Sequence, residues 1–357
     1  MDRRNDVGTP SQTLLPAGSA IRPSIRVRDG VAFSVVTESE PLDPISRTLA
    51  RGIFPPLCRP LIDLVEAMVP PGGRVLDLGS HVGTFALAAA ASGRQVVALE
   101  ASPRNAALLA ASIEANQFGN LRLIHAAVGD GPGTLQFFSN GPFGHVDPSG
   151  GGGVGSVPVP AMAGDDILES VGWDRVDFIK MDIEGSELAG LLGLSRLLSR
   201  PDAPPLFVES NGHTLHLFGE SPRSLKAALT AYGYELFQVE ERRLIPVGLA
   251  EFQGTTVVDY LAVKSSPKGT RGWRVDRPMP PREQIRRARA SCLSSLEAER
   301  LYAARTIGHA PEIVRSDRRV VRAFERLKAD PVSTIRSEAE DWSLSARPEP
   351  WYAFWRR

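Results

Sequence analysis

The stretch Gly73-Arg74-Val75-Leu76-Asp77-Leu78-Gly79-Ser80-His81-Val82-Gly83-Thr84-Phe85 constrains the fold more than any other part of the chain. A short apolar run (Val75, Leu76, Leu78) ends at a glycine turn, and an alanine-rich run from Phe85 to Ala91 follows at once. That order reads as a buried strand, a tight loop and a helix N-terminus. Gly79 and Gly83 lack a Cβ, so the backbone can bend sharply there and approach a ligand closely. The spacing is Asp-x-Gly-x-x-x-Gly. It differs from the Gly-x-Gly-x-x-Gly that carries a dinucleotide pyrophosphate onto a helix N-terminus. Such a loop suits a nucleoside ligand without a pyrophosphate, with Asp77 accepting hydrogen bonds from a cationic or hydroxylated part. On these residues alone, a βα turn without a ligand is the alternative.

A second signal lies about twenty residues on, the distance at which an acidic residue meets a ribose in such βαβ units. Gln95-Val96-Val97-Ala98-Leu99 reads as another buried strand and ends in Glu100. A carboxylate at that tip is placed to accept from both ribose hydroxyls. Alone, Glu100 would be a solvated strand-end charge. Paired with the glycine loop, the ribose role is favoured.

These residues carry a resemblance. Val75 through Gly83 and Glu100-Ala101-Ser102-Pro103 resemble the first two motifs of S-adenosylmethionine-dependent methyltransferases, and more narrowly those of the FkbM family. Asn116 through Asp130, Ile179-Lys180-Met181-Asp182-Ile183-Glu184-Gly185-Ser186-Glu187 and Leu206-Phe207-Val208-Glu209 fit the same family. The resemblance spans residues 60–264, and the Lys-x-Asp-x-Glu-Gly-x-Glu block is its most specific element. One departure is visible: the family usually has Ala-Asn where this chain has Ser80-His81.

The resemblance implies an α/β fold of the Rossmann-like class I methyltransferase type. Its sheet would be mostly parallel and seven-stranded, with an antiparallel closing hairpin. It implies S-adenosylmethionine as cofactor and O-methylation of a hydroxyl on a sugar or secondary metabolite. Cofactor contacts would fall to Asp77, Gly79, Ser80, His81, Gly83, Glu100, Ala101, Ala126, Ala127 and Asp182, with Ala126 and Ala127 small enough for the adenine ring to stack.

An alcohol acceptor must lose a proton near the transition state, which calls for a base within hydrogen-bond reach. Asp182 and His213 are the candidates, and His145 is third. Glu184, Glu209 and His145 are expected on the acceptor side. Lys180 has two readings, a catalytic one and a structural one in which it pairs with Asp182 or Glu209, since a buried charge needs a partner.

The rest of the chain is organised around this core. Residues 1–22 are polar and rich in Pro, Gly and Ser, which predicts a loose arm. Asp29-Gly30 between two alternating runs predicts a hairpin. Arg51 to Val69 has a helical apolar face stopped by Pro70-Pro71-Gly72. From Gly131 to Pro160 the pattern breaks into two short alternating runs among glycines, which predicts a surface loop or an active-site flap. The methyltransferase domain is therefore placed at 23–264, a Gly/Pro/Lys linker at 265–281 and a helical appendage at 282–357.

Charge is uneven along the chain. Residues 265–357 hold 20 Lys/Arg and 12 Asp/Glu, a net of +8 that the preceding residues balance. Both signs are evenly mixed there, which favours a solvated helical appendage over a nucleic-acid tail. Trp351, Tyr352, Phe354 and Trp355 form an apolar cluster costly to leave in water. Docking of the tail on the catalytic domain, or on a second copy in a homodimer, is therefore expected.

Two cysteines are too few for a disulfide framework or a zinc site, and no metal is expected. No apolar run approaches membrane-spanning length, and the first residues lack a signal peptide's apolar stretch, so a cytoplasmic location is expected. Two rival functions remain on sequence alone. An NAD(P)-linked oxidoreductase is disfavoured by its missing glycine fingerprint. A scaffold working through its arginine-rich end is disfavoured by the intact loop and strand-tip acids.

Overall fold

Short β-branched runs alternating with alanine- and leucine-rich runs dictate a βαβ core, to which the chain adds a hairpin in front and a helical bundle behind. The computed structural model describes residues 15–16, 18–41, 43–138, 144–249, 257–267, 270–307 and 310–341. The expected arm falls mostly at 1–14, and the Trp351–Trp355 aromatics fall at the other end; both lie outside the described residues.

The first strands, β1 (Ala20–Arg28) and β2 (Val31–Thr37), pair antiparallel across Asp29-Gly30 as the turn chemistry predicts. Strand β1 thus begins inside the segment expected to be loose. Helices α1 (Pro44–Ala50) and α2 (Arg59–Met68) follow. The helix suggested by the Arg51–Val69 face starts only at Arg59, because Pro55 and Pro56 interrupt the helical ladder before it.

The core is then laid down as β3 (Arg74–Leu78), α3 (Thr84–Ala91), β4 (Gln95–Glu100), α4 (Pro103–Asn116) and β5 (Leu121–His125). Ser102 caps α4 and Pro103 occupies its first turn, where a missing N–H costs nothing. The hairpin packs on this helix: Val36 N donates to Ser112 Oγ at 2.9 Å and Ser34 N to Asn116 Oδ1 at 2.7 Å.

The expected third strand, Leu121–Val128, breaks at Ala126. Beyond it β6 (Ala127–Gly129) joins a second sheet with β7 (Gly133–Phe138), β8 (His145–Val146) and β9 (Ser156–Ala163), in the order β6-β9-β7-β8. The region that looked like a broken pattern is therefore sheet-forming, and its glycines lie between the strands.

After α5 (Gly164–Ser170) the core resumes with β10 (Phe178–Met181), α6 (Glu187–Gly193), α7 (Ser195–Leu198), β11 (Leu206–Asn211), α8 (Gly212–Leu217) and α9 (Pro222–Ala231). It closes with β12 (Glu235–Glu240), β13 (Arg243–Pro246), β14 (Val257–Val263) and β15 (Arg274–Val275).

The large sheet runs β15-β13-β12-β14-β11-β10-β3-β4-β5. From β11 to β5 neighbours are parallel, whereas β14 is antiparallel to both β11 and β12. The expected closing hairpin is thus present, and β13 and β15 extend its edge beyond seven strands. Strand β15 lies within the stretch that composition marks as linker, and Trp273 beside it packs against the core.

Alternation along each strand divides the core between the two faces. Val75 and Phe178 point to one cluster with α2, α3 and α4, and Leu76 and Ile179 to the other with α5, α6 and α9. Ala86, Ala88 and Ala89 are fully buried in α3, so small side chains let that helix lie close on the sheet.

The C-terminal segment forms a separate bundle of α10 (Pro281–Cys292), α11 (Glu297–Thr306), α12 (Glu312–Arg315), α13 (Arg318–Glu325) and α14 (Ser333–Asp341). Ile285, Ala288, Tyr302, Val314, Phe324 and Ile335 make its own apolar core. Among the described residues, no helix is long and apolar enough to cross a membrane.

Candidate active site

The chain order reverses beside β3. Strands β3, β4 and β5 step outward in one direction, and β10 then returns to the opposite side of β3. Ligands of open α/β sheets collect beyond the carboxyl ends of the strands at such a switch. The two loops meet closely there, since a Cβ on Gly79 would collide with the Asp182 carbonyl oxygen. A cleft of about 650 Å³ opens over this junction.

One wall is built from the first βαβ unit. Glu100 is only 6% exposed, and its carboxylate is held from two directions. Oε2 accepts from His81 N at 2.7 Å and Oε1 from Ser102 N at 2.8 Å. Each oxygen retains a further acceptor site. Gly79, Ser80 and His81 border it, and Ala101, Ala126 and Ala127 line an apolar slot roofed by Phe137 and Val146 of the second sheet.

Two residues expected here have other duties. Gly83 is outside the cleft lining; its φ of 89° starts α3, and Leu109 fills the space beside it. Asp77 is completely buried one residue inside β3, behind the lining, where its carboxylate oxygens make no hydrogen bond. Burial pushes its carboxyl up, and its nearest cation is Lys180 Nζ, 3.5 Å from Oδ1.

Acids dominate the opposite wall. Lys180 Nζ donates to the Gly79 carbonyl and lies 3.3 Å from Asp182 Oδ2. Burial pulls this ammonium's pKa down, but Asp182 and Asp77 more than offset it, and the net direction is up. The structural reading of Lys180 therefore describes its contacts: it ties the glycine loop, β3 and the end of β10 together.

Glu184, Glu209 and Asp259 complete the wall. Burial, then Asp182 and Glu187, raise Glu184 to about 8; burial, then Asp182, raise Asp259 to about 7. Burial and the surrounding carboxylates also push Glu209 well up. Asp182, Glu184 and Glu209 each present an oxygen within 4.8 Å of the others, a spacing a divalent ion can bridge. Glu209 joins the group from a different strand, β11.

A pH signature follows from Glu184. Its folded value lies above the ordinary 4.5, so the folded state binds the extra proton and the group's stabilising contribution is lost as pH rises from 4.5 to about 8. Glu184→Gln cannot ionise. Melting temperatures of the two proteins, compared across that window, should show a shallower alkaline fall for the variant.

The two candidate histidines are not in the cleft lining. His213 is exposed on α8, because the chain turns into a helix at Gly212 and carries it away from the end of β11. His145 packs its ring 5.8 Å from that of Phe138, while its neighbours Gly144 and Val146 line the cleft. Strand alternation turns His145 away when Val146 faces in.

Several lining residues carried no sequence signal. Asp43, Ile45, Leu57 and Leu61 come from the segment before the core, and Val257 and Asp259 from the last long strand. They read as ordinary loop or strand residues until the fold brings them to the mouth. Asp43 Oδ2 lies 3.8 Å from His81 Nε2 across the glycine loop.

Comparison with known proteins bears on this arrangement. The methyltransferase FkbM domain matches residues 77–236, which contain the glycine loop, Glu100, Lys180, Asp182, Glu184 and Glu209; Asp259 lies beyond the match. Over those residues the chain is similar to the FkbM methyltransferase domain.

No curated protein matches the chain. Among solved structures, the chain is similar to the precorrin-6y C5,15-methyltransferase of Geobacter metallireducens, at 12% identity and a TM-score of 0.35 over 58% of this chain and 88% of that one. It is likewise similar to an O-methyltransferase from Bacillus cereus in complex with SAH, at 15% identity and a TM-score of 0.35 over 59% and 82% of the two chains. Fibrillarin from Aeropyrum pernix, bound to S-adenosyl-L-methionine, gives 14% identity and a TM-score of 0.33 over 57% and 71%.

Proposed function

We propose that this protein uses S-adenosylmethionine to methylate a hydroxyl of a sugar or secondary metabolite. The observation that supports it best is Glu100, fixed by two backbone N–H groups at a strand tip while facing a cleft beside the glycine loop. The wall fits the cofactor. Gly79 lets the glycine loop close onto the Asp182 carbonyl, Ala126 and Ala127 present small apolar side chains to the cleft, and Glu100 keeps acceptor sites for ribose hydroxyls.

When bound, S-adenosylmethionine supplies a methyl group already activated on a sulfonium. The residues then have to orient, exclude water and take up a proton. Glu100 and the Gly79–His81 backbone would hold the nucleoside and methionine ends. Phe85, Phe137 and Phe207 keep the cleft apolar around the acids. Asp182, at the floor beside Lys180, would accept the acceptor's proton through its carboxylate. Glu184 and Glu209 would receive other hydroxyls of the acceptor.

Glu100→Ala should weaken S-adenosylhomocysteine binding by about 1–3 kcal/mol, since it removes a charged acceptor and leaves the His81 and Ser102 amides without theirs. Unchanged affinity in the folded variant would make Glu100 a structural acid only. The function itself is tested with methyl-labelled cofactor and a panel of sugars and hydroxylated metabolites. Label is expected in an ether-linked methyl. Label found only on nitrogen would contradict the hydroxyl assignment.

A further inference from the structure

Helix α8 is a thin layer between the acidic wall and the C-terminal bundle. On the inner side, a Cβ at Gly185 would sit 2.6 Å from the Thr214 carbonyl oxygen and 2.7 Å from the Phe218 ring. The Glu184-Gly185 turn therefore rests directly on α8. On the outer side, a Cβ at Gly212 would sit 2.8 Å from Cδ2 of Tyr302, a residue of α11 that is itself buried in the bundle. Both glycines mark places where backbone and ring have closed to van der Waals contact.

Polar contacts follow the same path. Asn211 Oδ1 accepts from His213 N at 3.1 Å at the start of α8, and Asn211 Nδ2 donates to Glu184 Oε2 at 3.5 Å. Across the outer side, His216 Nε2 lies 3.6 Å from Glu338 Oε1, which also takes Arg305 Nε at 2.9 Å. Arg287 pairs with Glu240 at 2.9 Å further along the same side.

The turn needs support from without. Glu184 has φ 51° and Gly185 φ 101°, both left-handed. For a glutamate that conformation persists only when its surroundings impose it. Glu187 fixes the turn from the helix behind, where its Oε1 accepts from Ile183 N at 3.1 Å and Gly185 N at 3.2 Å. Helix α8 is the other support.

We infer that the C-terminal bundle positions the Glu184-Gly185 turn through α8, with Tyr302 as the positioning residue, so that one wall of the cleft is completed by residues 281–341. The description of that wall as the acceptor side rests on the proposed function; the mechanical coupling does not.

Hydrogen–deuterium exchange on the full chain tests it without any acceptor. In Tyr302→Ala, amides at 183–187 and 211–217 should exchange about tenfold faster, whereas those of the glycine loop at 79–83 keep the parental rate. Tyr302→Phe, which retains the ring, should restore the parental rate at 183–187. Because Tyr302→Ala removes part of the bundle core, Gly212→Ala is measured beside it. That variant pushes on the same contact from the α8 side and should accelerate 183–187 while α13 stays protected. Parental exchange at 183–187 in both variants overturns the inference. Equal acceleration at 79–83 also overturns it, since the bundle would then stabilise the whole domain without positioning this turn. Affinity for S-adenosylhomocysteine, measured on the same samples, reports separately on the proposed function.

Discussion

Asp182→Asn should lower turnover by about 10²–10⁴-fold, the usual worth of a positioned general base, while cofactor affinity stays within about threefold. The substitution nearly preserves shape. Asp182 N donates to the Leu78 carbonyl at 3.1 Å, and this backbone contact is untouched by the change. Only the charge facing Lys180 is removed. Competition among the acids singles this residue out. Glu184 is raised to about 8, so near neutrality it tends to hold its proton and serves poorly as an acceptor; burial and neighbouring carboxylates push Glu209 in the same direction. Single-turnover rates and calorimetric affinities on the same preparation separate the two effects. Equal turnover in variant and parent would remove Asp182 from the chemistry.

Lys180→Met should be the most damaging single change to stability, at about 3–5 kcal/mol near neutral pH. Methionine fills much the same volume, so the loss is electrostatic. The variant leaves Asp77, fully buried, and Asp182 facing each other with no cation between them, and frees the Gly79 carbonyl. The deficit should shrink as pH falls, because protonation of the carboxyls removes the charge that Lys180 balances. Denaturant unfolding at two pH values measures both parts. A variant as stable as the parent would mean that the acids are neutralised by one another and that Lys180 is dispensable.

The central βαβ unit was legible because each of its parts needs a distinctive residue: apolar strand runs, a glycine where the loop touches Asp182, an acid at the tip of β4. The antiparallel closing hairpin was expected from the family resemblance. The second sheet was only partly legible: the two alternating runs fall in β7 and β9, but glycines between them and prolines within β9 read locally as loop and hid their pairing. The late start of α2 was written in Pro55-Pro56 but overshadowed by a continuous apolar face.

For the cleft, sequence found the residues that a motif brings close along the chain. Glu100, Ala101, Lys180, Asp182 and Glu184 are of that kind, and Glu209 came from its strand end. Sequence erred where orientation decides. A strand's alternation turned His145 away, a helix start carried His213 off, and Asp77 sits one residue too deep. Asp43, Leu57 and Asp259 arrive by folding over long chain distances, so no local spacing could have marked them. Within the described residues the bundle meets the catalytic domain through Tyr302 against Gly212, His216 beside Glu338 and Arg287 paired with Glu240; the Trp351–Trp355 anchor expected from sequence lies outside them.

Isothermal titration of the full chain with S-adenosylhomocysteine tests the central claim most directly. One molecule per chain should bind, with affinity weakened in Glu100→Ala and kept in Asp182→Asn. Absence of binding at millimolar ligand would contradict the assignment of this cleft to S-adenosylmethionine, and with it the methyl transfer proposed here.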